Sequence, residues 1–325
     1  MKLVIVVVIS FSIFILFYGG YHIINPSLEG EDIASRLGIP YPAVIAHRGA
    51  SVVAPESTAP AYIKARENGV DYLEADLQRT KDGEIVIFHD QTLQRTSNVE
   101  ELFPERKDDD LGSFTYDELK KLDLGSWFND AYPEYARAEY ENLDIIKLED
   151  LIDIAKAGEN RAGLVLELKY SEKYPGIEKE VVEILNKKGC LDASENNDKK
   201  DAADIIFFAF NLESLKRLKE LLPQIPRVLL ITDNMITKKS WSQWLDKAEG
   251  TVHGLGTKGF VNWPLYIAAA HDKELFVFPY TINELWQIKV LAYFQSSGYI
   301  TDRPKLVLEF LDRIPELPHI NDEEN

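Results

Sequence analysis

The chain has 325 residues, 45% of them hydrophobic and 28% charged, a composition that excludes a largely disordered protein and allows one large domain or two ordinary ones. Its 54 acidic and 36 basic residues give a net charge of −18, so we expect no nucleic-acid partner, because such an interface needs basic side chains to neutralise phosphates. With Cys190 as its single cysteine, the chain can form neither an internal disulfide nor a thiolate metal cluster.

Residues 1–24 form the most apolar segment of the chain. After Lys2, the run from Leu3 to Tyr18 carries no charge and can continue to Ile24. About 22 helical residues at about 1.5 Å each span about 33 Å, close to the hydrocarbon thickness of a bilayer. The segment predicts a transmembrane anchor, with a cleaved secretory signal or a buried apolar helix as alternatives. Lys2 on its N-terminal flank favours a cytoplasmic N-terminus and a non-cytoplasmic catalytic domain, or a secreted one after signal cleavage.

Residues 25–42 are interpreted as a linker, and beyond them strand-like runs alternate with helical patterns. The eight predicted strands are Ala43–His47, Val70–Leu77, Ile85–His89, Gly163–Lys169, Asp204–Phe210, Arg227–Thr232, Val252–Thr257 and Leu275–Ile282. The clearest helices between them are Ala59–Asn68, Leu148–Ala157, Ile177–Lys188, Leu212–Leu222 and Asn283–Phe294. This rhythm is typical of an α/β fold of the (β/α)8 TIM-barrel type, although an open doubly wound sheet has the same local pattern. The weakest step is between the second and third strands, which only Gln78–Glu84 separates.

The predicted barrel domain occupies residues 43–320, with an insertion at 91–146, and residues 321–325 form an acidic tail. The insertion interrupts the alternation of strands and helices. It contains the charged run Glu105–Asp110 and the aromatic residues Trp127, Phe128, Tyr132, Tyr135 and Tyr140. A long insertion after a barrel strand is expected over the catalytic face or beside it.

Acidic side chains lie near the ends of two predicted strands. Residues two apart on a strand face the same way, so Glu74 lies beside Asp76, and Glu167 lies beside Lys169. In a barrel these strand ends converge at the C-terminal rim, where active sites lie. Three carboxylates without cysteine suit a hard divalent cation, Ca²⁺ or Mg²⁺, better than zinc.

Histidine and basic side chains share the same rim. His47 and Arg48 close the first predicted strand, and His89 ends the third. Two histidines offer an acid and a base near neutral pH, and Arg48 and Lys169 offer positive charge to an anionic group such as a phosphate. Each residue alone has an ordinary explanation as a cap or an ion-pair partner. Their joint occurrence at four strand ends favours a catalytic site.

Several ordered motifs carry a family resemblance. The longest runs from Ala46 to Thr96 and reads AHRGASVVAPESTAPAYIKARENGVDYLEADLQRTKDGEIVIFHDQTLQRT. LVLELK at 164–169, FNLESL at 210–215, and YTIN with GYITDRP at 280–304 follow it. Together they closely resemble the glycerophosphodiester phosphodiesterase family over residues 43–304.

The resemblance implies a metal-dependent barrel that cleaves glycerophosphodiesters into glycerol 3-phosphate and an alcohol. It implies that the metal ligands are Glu74, Asp76 and Glu167, that the general acid and base are His47 and His89, and that the phosphate contacts are Arg48 and Lys169. Two alternatives stay open, a lysophospholipase D of the same fold acting on lysophospholipids and a catalytically silent barrel that binds phosphodiesters.

The chain departs from the family pattern at two notable positions. The usual Pro-Glu-Asn-Thr appears with Ser57 in place of the asparagine, and we expect this hydroxyl to serve as a helix N-cap. The usual tryptophan before Thr-Val-Asn is Tyr280. Both lie outside the acid, base and metal positions, so we expect altered substrate preference before lost catalysis.

Overall fold

Short apolar strands form a parallel barrel in the computed structural model, which describes residues 20–191 and 204–314. The barrel strands are β1 (Ala43–His47), β2 (Tyr72–Arg79), β4 (Gly163–Leu168), β5 (Ile205–Ala209), β6 (Arg227–Ile231), β7 (Gly254–Lys258), β8 (Phe276–Tyr280) and β9 (Gly298–Thr301). They pair in parallel in the order β8-β7-β6-β5-β4-β2-β1-β9. The ring closes between β8 and β9, where Ser297 N–H donates to Val277 O at 2.9 Å and Ile282 N–H to Ile300 O at 2.8 Å.

The prediction that Ile85–His89 forms a parallel strand of the barrel is wrong. The remaining strand, β3 (Ile85–Ile87), lies antiparallel to β2, with Ile87 opposite Leu77. The turn between them is closed by hydrogen bonds between Thr80 and Glu84, and it is too short for the helix that a parallel crossover needs. The eighth barrel strand is instead β9, which the sequence analysis missed because four residues are too few to display a period of two.

Helices surround the barrel and connect its strands. In chain order they are α1 (Gly30–Arg36), α2 (Ala59–Glu67), α3 (Val99–Leu102), α4 (Tyr116–Leu119), α5 (Ser126–Ala131), α6 (Leu148–Lys156), α7 (Ile177–Lys187), α8 (Leu212–Leu221), α9 (Asp233–Lys238), α10 (Trp241–Ala248), α11 (Pro264–His271), α12 (Leu285–Tyr293) and α13 (Pro304–Phe310). The apolar faces of the longer helices pack on outward-facing strand residues such as Leu73, Leu77 and Leu166. Strand alternation therefore turns Glu74 and Asp76 toward the barrel interior.

The helix α1 closes the N-terminal end of the barrel. Ile33 and Ala34 belong to the interior core together with Tyr72, Phe208 and Phe276. The predicted linker at 25–42 thus contains a helix that contributes to the core. Its short length of seven residues explains why no helical period was visible in the sequence.

The insertion at 91–146 folds beside the barrel as short helices around its own small core, which includes Leu93, Phe114 and Leu122. The hydroxyl of Tyr140 donates to Val53 O at 3.1 Å and so ties the insertion to the loop after β1. The insertion therefore lies at the C-terminal rim, as the sequence analysis expects.

No helix among residues 20–191 and 204–314 is both long enough and apolar enough to cross a bilayer. Most of the anchor predicted at 1–24, its residues 1–19, lies outside the described residues. The same holds for the acidic tail at 321–325 and for the last residues of the predicted barrel domain.

Candidate active site

Three buried carboxylates converge at the C-terminal rim. Glu74 and Asp76 on β2 and Glu167 on β4 each contribute one oxygen to a group in which all three atoms lie within 4.8 Å of one another. Their exposed fractions are 2%, 0% and 6%. Strand register produces this proximity, because Asp76 lies directly opposite Glu167 across the β2–β4 pair. The sequence-predicted ligand set is therefore brought together in space.

Two cations contact these carboxylates. The Lys169 ammonium lies 2.7 Å from Glu167 Oε1 and 3.2 Å from Asp76 Oδ1. Arg48 Nε lies 3.3 Å from Asp76 Oδ2, and the Arg48 backbone N–H donates to Glu74 Oε2 at 2.9 Å. The two predicted phosphate contacts thus border the carboxylate group.

Neighbouring charges give these three buried carboxylates different pKa values. Burial first, and then the charges of Asp76 and Glu167, raise the pKa of Glu74 well above its usual value. Burial also raises the pKa of Glu167 to about 7. Burial acts in the same direction on Asp76, but the charges of Lys169, Arg48 and both histidines outweigh it and hold the pKa of Asp76 below its usual value. Mutual repulsion of close carboxylates accounts for the divergence.

The carboxylate group fits a hard divalent cation. Both oxygens of Asp76 and Oε1 of Glu167 are buried without a hydrogen bond of good geometry, although cations lie nearby. Three carboxylates face two basic side chains, so one negative charge is left without a partner cation within the group. Oxygen-only donors in this number are the ligands that Ca²⁺ and Mg²⁺ prefer.

Each predicted catalytic histidine is oriented by a carboxylate. His47 Nδ1 lies 2.6 Å from Asp302 Oδ1, and Asp302 in turn accepts from Ser51 Oγ at 3.2 Å and Asn283 Nδ2 at 2.6 Å. Burial acts to raise the pKa of Asp302, but the hydrogen bond from His47 and its neighbours lowers it overall. Because Nδ1 is engaged, Nε2 is the His47 nitrogen left for a reacting group.

His89 has the same arrangement with its sequence neighbour. Its Nδ1 lies 2.5 Å from Asp90 Oδ1, and Arg95 Nε binds the other oxygen of Asp90. Burial lowers the pKa of His89, with the hydrogen bond to Asp90 opposing that shift. Although β3 is not a barrel strand, the Phe88 N–H donates to Asp76 O at 2.9 Å, so the hairpin delivers His89 to the rim.

Arg95 links the two halves of the site. Its guanidinium binds Glu56 through two hydrogen bonds of 2.9 and 2.7 Å, and Glu56 also accepts from Arg48 Nη1 at 2.8 Å. A continuous set of charge-assisted hydrogen bonds therefore runs from the Asp90 carboxylate to Arg48. Such pairs fix side-chain geometry more firmly than neutral hydrogen bonds do.

The backbone after β1 makes a sharp turn that aims Arg48 into the site. Arg48 has φ of 57° and Gly49 has φ of 89°. A Cβ at Gly49 would lie 2.6 Å from the backbone carbon of Ala61 in α2. Glycine is therefore required here both by conformation and by the close approach of the helix.

A cavity of about 390 Å³ opens over these residues. It is lined by His47, Arg48, Ser51, Val52, Glu56, Arg95, Trp127, Tyr132, Glu134, Tyr135 and Asp302. The insertion supplies five of these residues, Arg95 and the four from Trp127 to Tyr135. The volume of the cavity lies in the range of small-molecule binding sites, which is about 300–1,000 Å³.

The expectation that Ser57 caps a helix is wrong. The N-cap of α2 is Thr58, and no side chain caps that helix. Ser57 has φ of 60° and is 3% exposed, and its hydroxyl has no hydrogen-bond partner among the described residues. The left-handed backbone turns the hydroxyl inward, away from the amides at the start of α2.

The sequence analysis did not assign roles to four residues that complete the site, Glu56, Asp90, Arg95 and Asp302. Asp90 and Asp302 carried a detectable signal, since each follows directly after a predicted site residue or within a recognised motif. Glu56 and Arg95 also lie in the recognised segment Ala46–Thr96, but their pairing carried no signal, because only the folded insertion brings Arg95 to the loop that bears Glu56.

Comparison with known proteins identifies the family of the chain. The family model described as the glycerophosphoryl diester phosphodiesterase family matches residues 47–306. A glycerophosphodiester phosphodiesterase of Bacillus subtilis (strain 168) is 31% identical over 262 residues, which cover 81% of this chain and 84% of the relative.

Solved structures of similar proteins have the same fold. A phosphodiesterase of Oleispira antarctica, solved in complex with the product sn-glycerol-3-phosphate, superposes with a TM-score of 0.64 and 27% identity, covering 84% of this chain and 97% of that one. A glycerophosphodiester phosphodiesterase of Agrobacterium tumefaciens superposes with a TM-score of 0.61 and 23% identity, covering 82% and 99%. The chain therefore belongs to the glycerophosphoryl diester phosphodiesterase family and shares its enzyme class, phosphoric diester hydrolase.

Proposed function

We propose that the protein hydrolyses glycerophosphodiesters to glycerol 3-phosphate and an alcohol, using a bound Ca²⁺ or Mg²⁺ and acid–base catalysis by His47 and His89. The observation that carries this proposal is the meeting of three buried carboxylates with two carboxylate-oriented imidazoles at one rim of the barrel. The similar glycerophosphodiester phosphodiesterase of Bacillus subtilis and the similar phosphodiesterase solved with its product sn-glycerol-3-phosphate support the substrate class.

Glu74, Asp76 and Glu167 would hold the cation. When bound, a divalent cation supplies Lewis-acid stabilisation of negative charge at a phosphoryl group and favours deprotonation of a hydroxyl near it. Arg48 and Lys169 add fixed positive charge beside the same carboxylates, and so bind and orient the anionic diester.

The imidazoles move the protons. Because each Nδ1 faces a carboxylate, one Nε2 accepts a proton from the glycerol hydroxyl that attacks phosphorus, and the other donates a proton to the departing alcohol. Water then opens the resulting cyclic phosphate and gives glycerol 3-phosphate. Asp302 and Asp90 hold the rings in place and stabilise the protonated form.

The test is release of glycerol 3-phosphate from a glycerophosphodiester by the purified protein. We expect turnover with Ca²⁺ or Mg²⁺, loss of turnover with EDTA, and recovery when the cation is restored; which cation restores the higher rate identifies the metal. Absence of turnover of every diester by the cation-saturated protein would favour the silent binding barrel.

A lysophospholipase D activity is the second candidate, because a lysophospholipid offers the same phosphodiester to the carboxylate group and the histidines. Parallel assays with lysophosphatidylcholine and glycerophosphocholine separate the two, since turnover of the lipid alone would support the lysophospholipase.

We also propose that residues 1–24 anchor the protein in a membrane with the catalytic domain on the non-cytoplasmic side. The uncharged run from Leu3 to Tyr18 supports an apolar anchor, and Lys2 supports the orientation. Membrane fractionation with a carbonate wash and protease protection test the proposal. N-terminal sequencing of a released form would identify cleavage and secretion instead.

A further inference from the structure

Three aromatic side chains of the insertion form one wall of the cavity. We call Trp127, Tyr132 and Tyr135 the aromatic wall. Tyr132 is 43% exposed and Tyr135 is 36% exposed, although aromatic residues of the same insertion, such as Phe128, are fully buried. The exposed rings thus lie where a ligand in the cavity would touch them.

Two rings of the aromatic wall pack against each other. The rings of Trp127 and Tyr132 lie 6.5 Å apart at an interplanar angle of 75°, an edge-to-face arrangement in which their faces point in different directions. The indole N–H of Trp127 donates to Leu124 O at 2.9 Å. Because this donor is already used within the protein, Trp127 offers a ligand its ring surface and not a hydrogen bond.

The aromatic wall is held rigidly. Phe128, which is fully buried, supports Tyr132 at a centroid distance of 4.9 Å, and the Tyr132 N–H donates to Phe128 O at 2.8 Å. Asn129 makes two hydrogen bonds with the backbone of Arg137, of 2.8 and 3.0 Å, and so closes the loop that carries Tyr132 and Tyr135. A ligand therefore meets a preformed surface.

The charged lining residues come from two parts of the chain. His47, Arg48, Glu56, Arg95 and Asp302 lie on the side of the carboxylate group, while the segment that bears the aromatic wall supplies Glu134. Glu56 is bound by Arg48 and Arg95, and Asp302 faces His47. Arg48 is thus a cation that the phosphodiester would meet, and Glu134 is the carboxylate that a cationic group at the aromatic wall would meet.

The face of an exposed aromatic ring attracts a cation through its negative charge, and Glu134 adds a carboxylate to the lining of the same cavity. A quaternary ammonium suits such a wall, because it has no N–H groups that must be satisfied by hydrogen bonds.

We infer that the aromatic wall and Glu134 select diesters whose leaving alcohol carries a quaternary ammonium, with choline as the representative. The inference rests on the proposed function and specifies its substrate. The anionic phosphodiester lies against Arg48, and the trimethylammonium group lies against Trp127 and Tyr132.

The test compares kcat/KM of the cation-saturated enzyme for glycerophosphocholine and for glycerophosphoglycerol, whose alcohol is neutral. We expect the wild type to prefer the choline diester. Trp127→Leu and Tyr132→Leu are each expected to lower the ratio of the two kcat/KM values by about fivefold to thirtyfold, the range of one cation–π contact. Tyr132→Phe keeps the ring and should retain the ratio. Trp286→Leu, at an exposed aromatic residue on α12, is the matched control and should leave the ratio unchanged.

A ligand pair tests the charge without any substitution. Choline should inhibit hydrolysis of glycerophosphoglycerol at least tenfold more strongly than 3,3-dimethylbutan-1-ol, its neutral isostere, if cation–π attraction carries the selection. Equal inhibition, or an equal loss on both diesters in the leucine variants, would overturn the inference. Hydrolysis of the neutral diester without a choline preference would overturn it while leaving the proposed function standing, and absence of all hydrolysis would instead count against the proposed function.

Discussion

His47 and His89 come from different parts of the chain, yet each presents Nδ1 to an aspartate and leaves Nε2 for chemistry. Asp302 follows the last barrel strand, and Asp90 follows the β3 hairpin. The shared arrangement fixes the tautomer of each ring, which a proton-transferring histidine needs. At the scale of single residues, each histidine of the site is therefore paired with one aspartate.

His47→Gln and His89→Gln are each expected to lower kcat by about 10²-fold or more, because proton transfer by a positioned side chain contributes that much. The measurement is glycerol 3-phosphate release at saturating diester and cation. Circular dichroism and the melting temperature serve as controls for folding. Near-normal rates in both variants would remove these residues from the acid and base roles.

Cation affinity is expected to rise with pH up to about 7. Because burial raises the pKa of Glu167 to about 7, this carboxylate holds a proton below that pH and a cation must displace it. Each pH unit below about 7 should then weaken binding by up to about tenfold per displaced proton. Calorimetric titration with Ca²⁺ or Mg²⁺ between about pH 5.5 and about pH 7.5 measures this dependence.

Glu167→Gln is the matched control for that titration. It removes the ionisable group while keeping the shape, so binding should be weaker at about pH 7.5 and should depend less on pH. Equal pH dependence in the variant and the wild type would assign the displaced proton to another group, and Glu74→Gln would then be tested in the same way.

At the scale of elements, the turn from β1 to α2 is the most constrained connection of the site. In Gly49→Ala the new Cβ would lie on a residue with a positive φ of 89° and only 2.6 Å from the backbone of Ala61. In Gly83→Ala the residue has a positive φ of 95°, but the new Cβ would lie in open space. We expect Gly83→Ala to lower the free energy of unfolding by about 1–3 kcal/mol and Gly49→Ala to lower it further. Urea denaturation measures both, and equal losses would show that the close approach to α2 is easily relieved.

The strand prediction succeeded wherever the pattern was local. β1 has its predicted bounds, and β4 to β8 lie within a few residues of theirs, because a short apolar run between polar segments marks a buried parallel strand. β3 was placed in the barrel because Ile85 and Ile87 have the same local pattern as a barrel strand. Its antiparallel pairing depends on the partner strand and on turn length, which a single run of residues does not contain.

At the scale of the whole molecule, two histidines away from the site make stability depend on pH. Burial lowers the pKa of both His253 and His271 to about 4. A depressed histidine pKa stabilises the fold fully above about pH 6.5, and that contribution is lost as the pH falls toward 4. His271, which is 1% exposed, accounts for up to about 3 kcal/mol of this loss.

His271→Gln should flatten that dependence, because glutamine can hydrogen-bond with Ser27, as His271 Nδ1 does, but does not titrate. The measurement is the urea midpoint of the cation-saturated protein between about pH 7 and about pH 4.5, compared with the wild type. The same fall in both proteins would show that other groups cause the acid loss.

The meeting of the three carboxylates was predictable because strand alternation and convergence of strand ends are properties of the backbone. Glu74, Asp76 and Glu167 meet for that reason alone. The cavity wall was not predictable in detail, since Trp127 and Tyr132 lie in short helices and turns whose placement depends on the small core of the insertion. Only the position of the insertion at the catalytic face followed from the sequence.

The helix α1 distinguishes the two ends of the barrel. Gly30 O accepts a hydrogen bond from Ser297 Oγ, and Ser27 contacts His271, so the polypeptide enters at the barrel end opposite the cavity. The two ends of the barrel therefore differ in what they do: α1 completes the interior core at one end, and the cavity opens at the other, where the insertion folds.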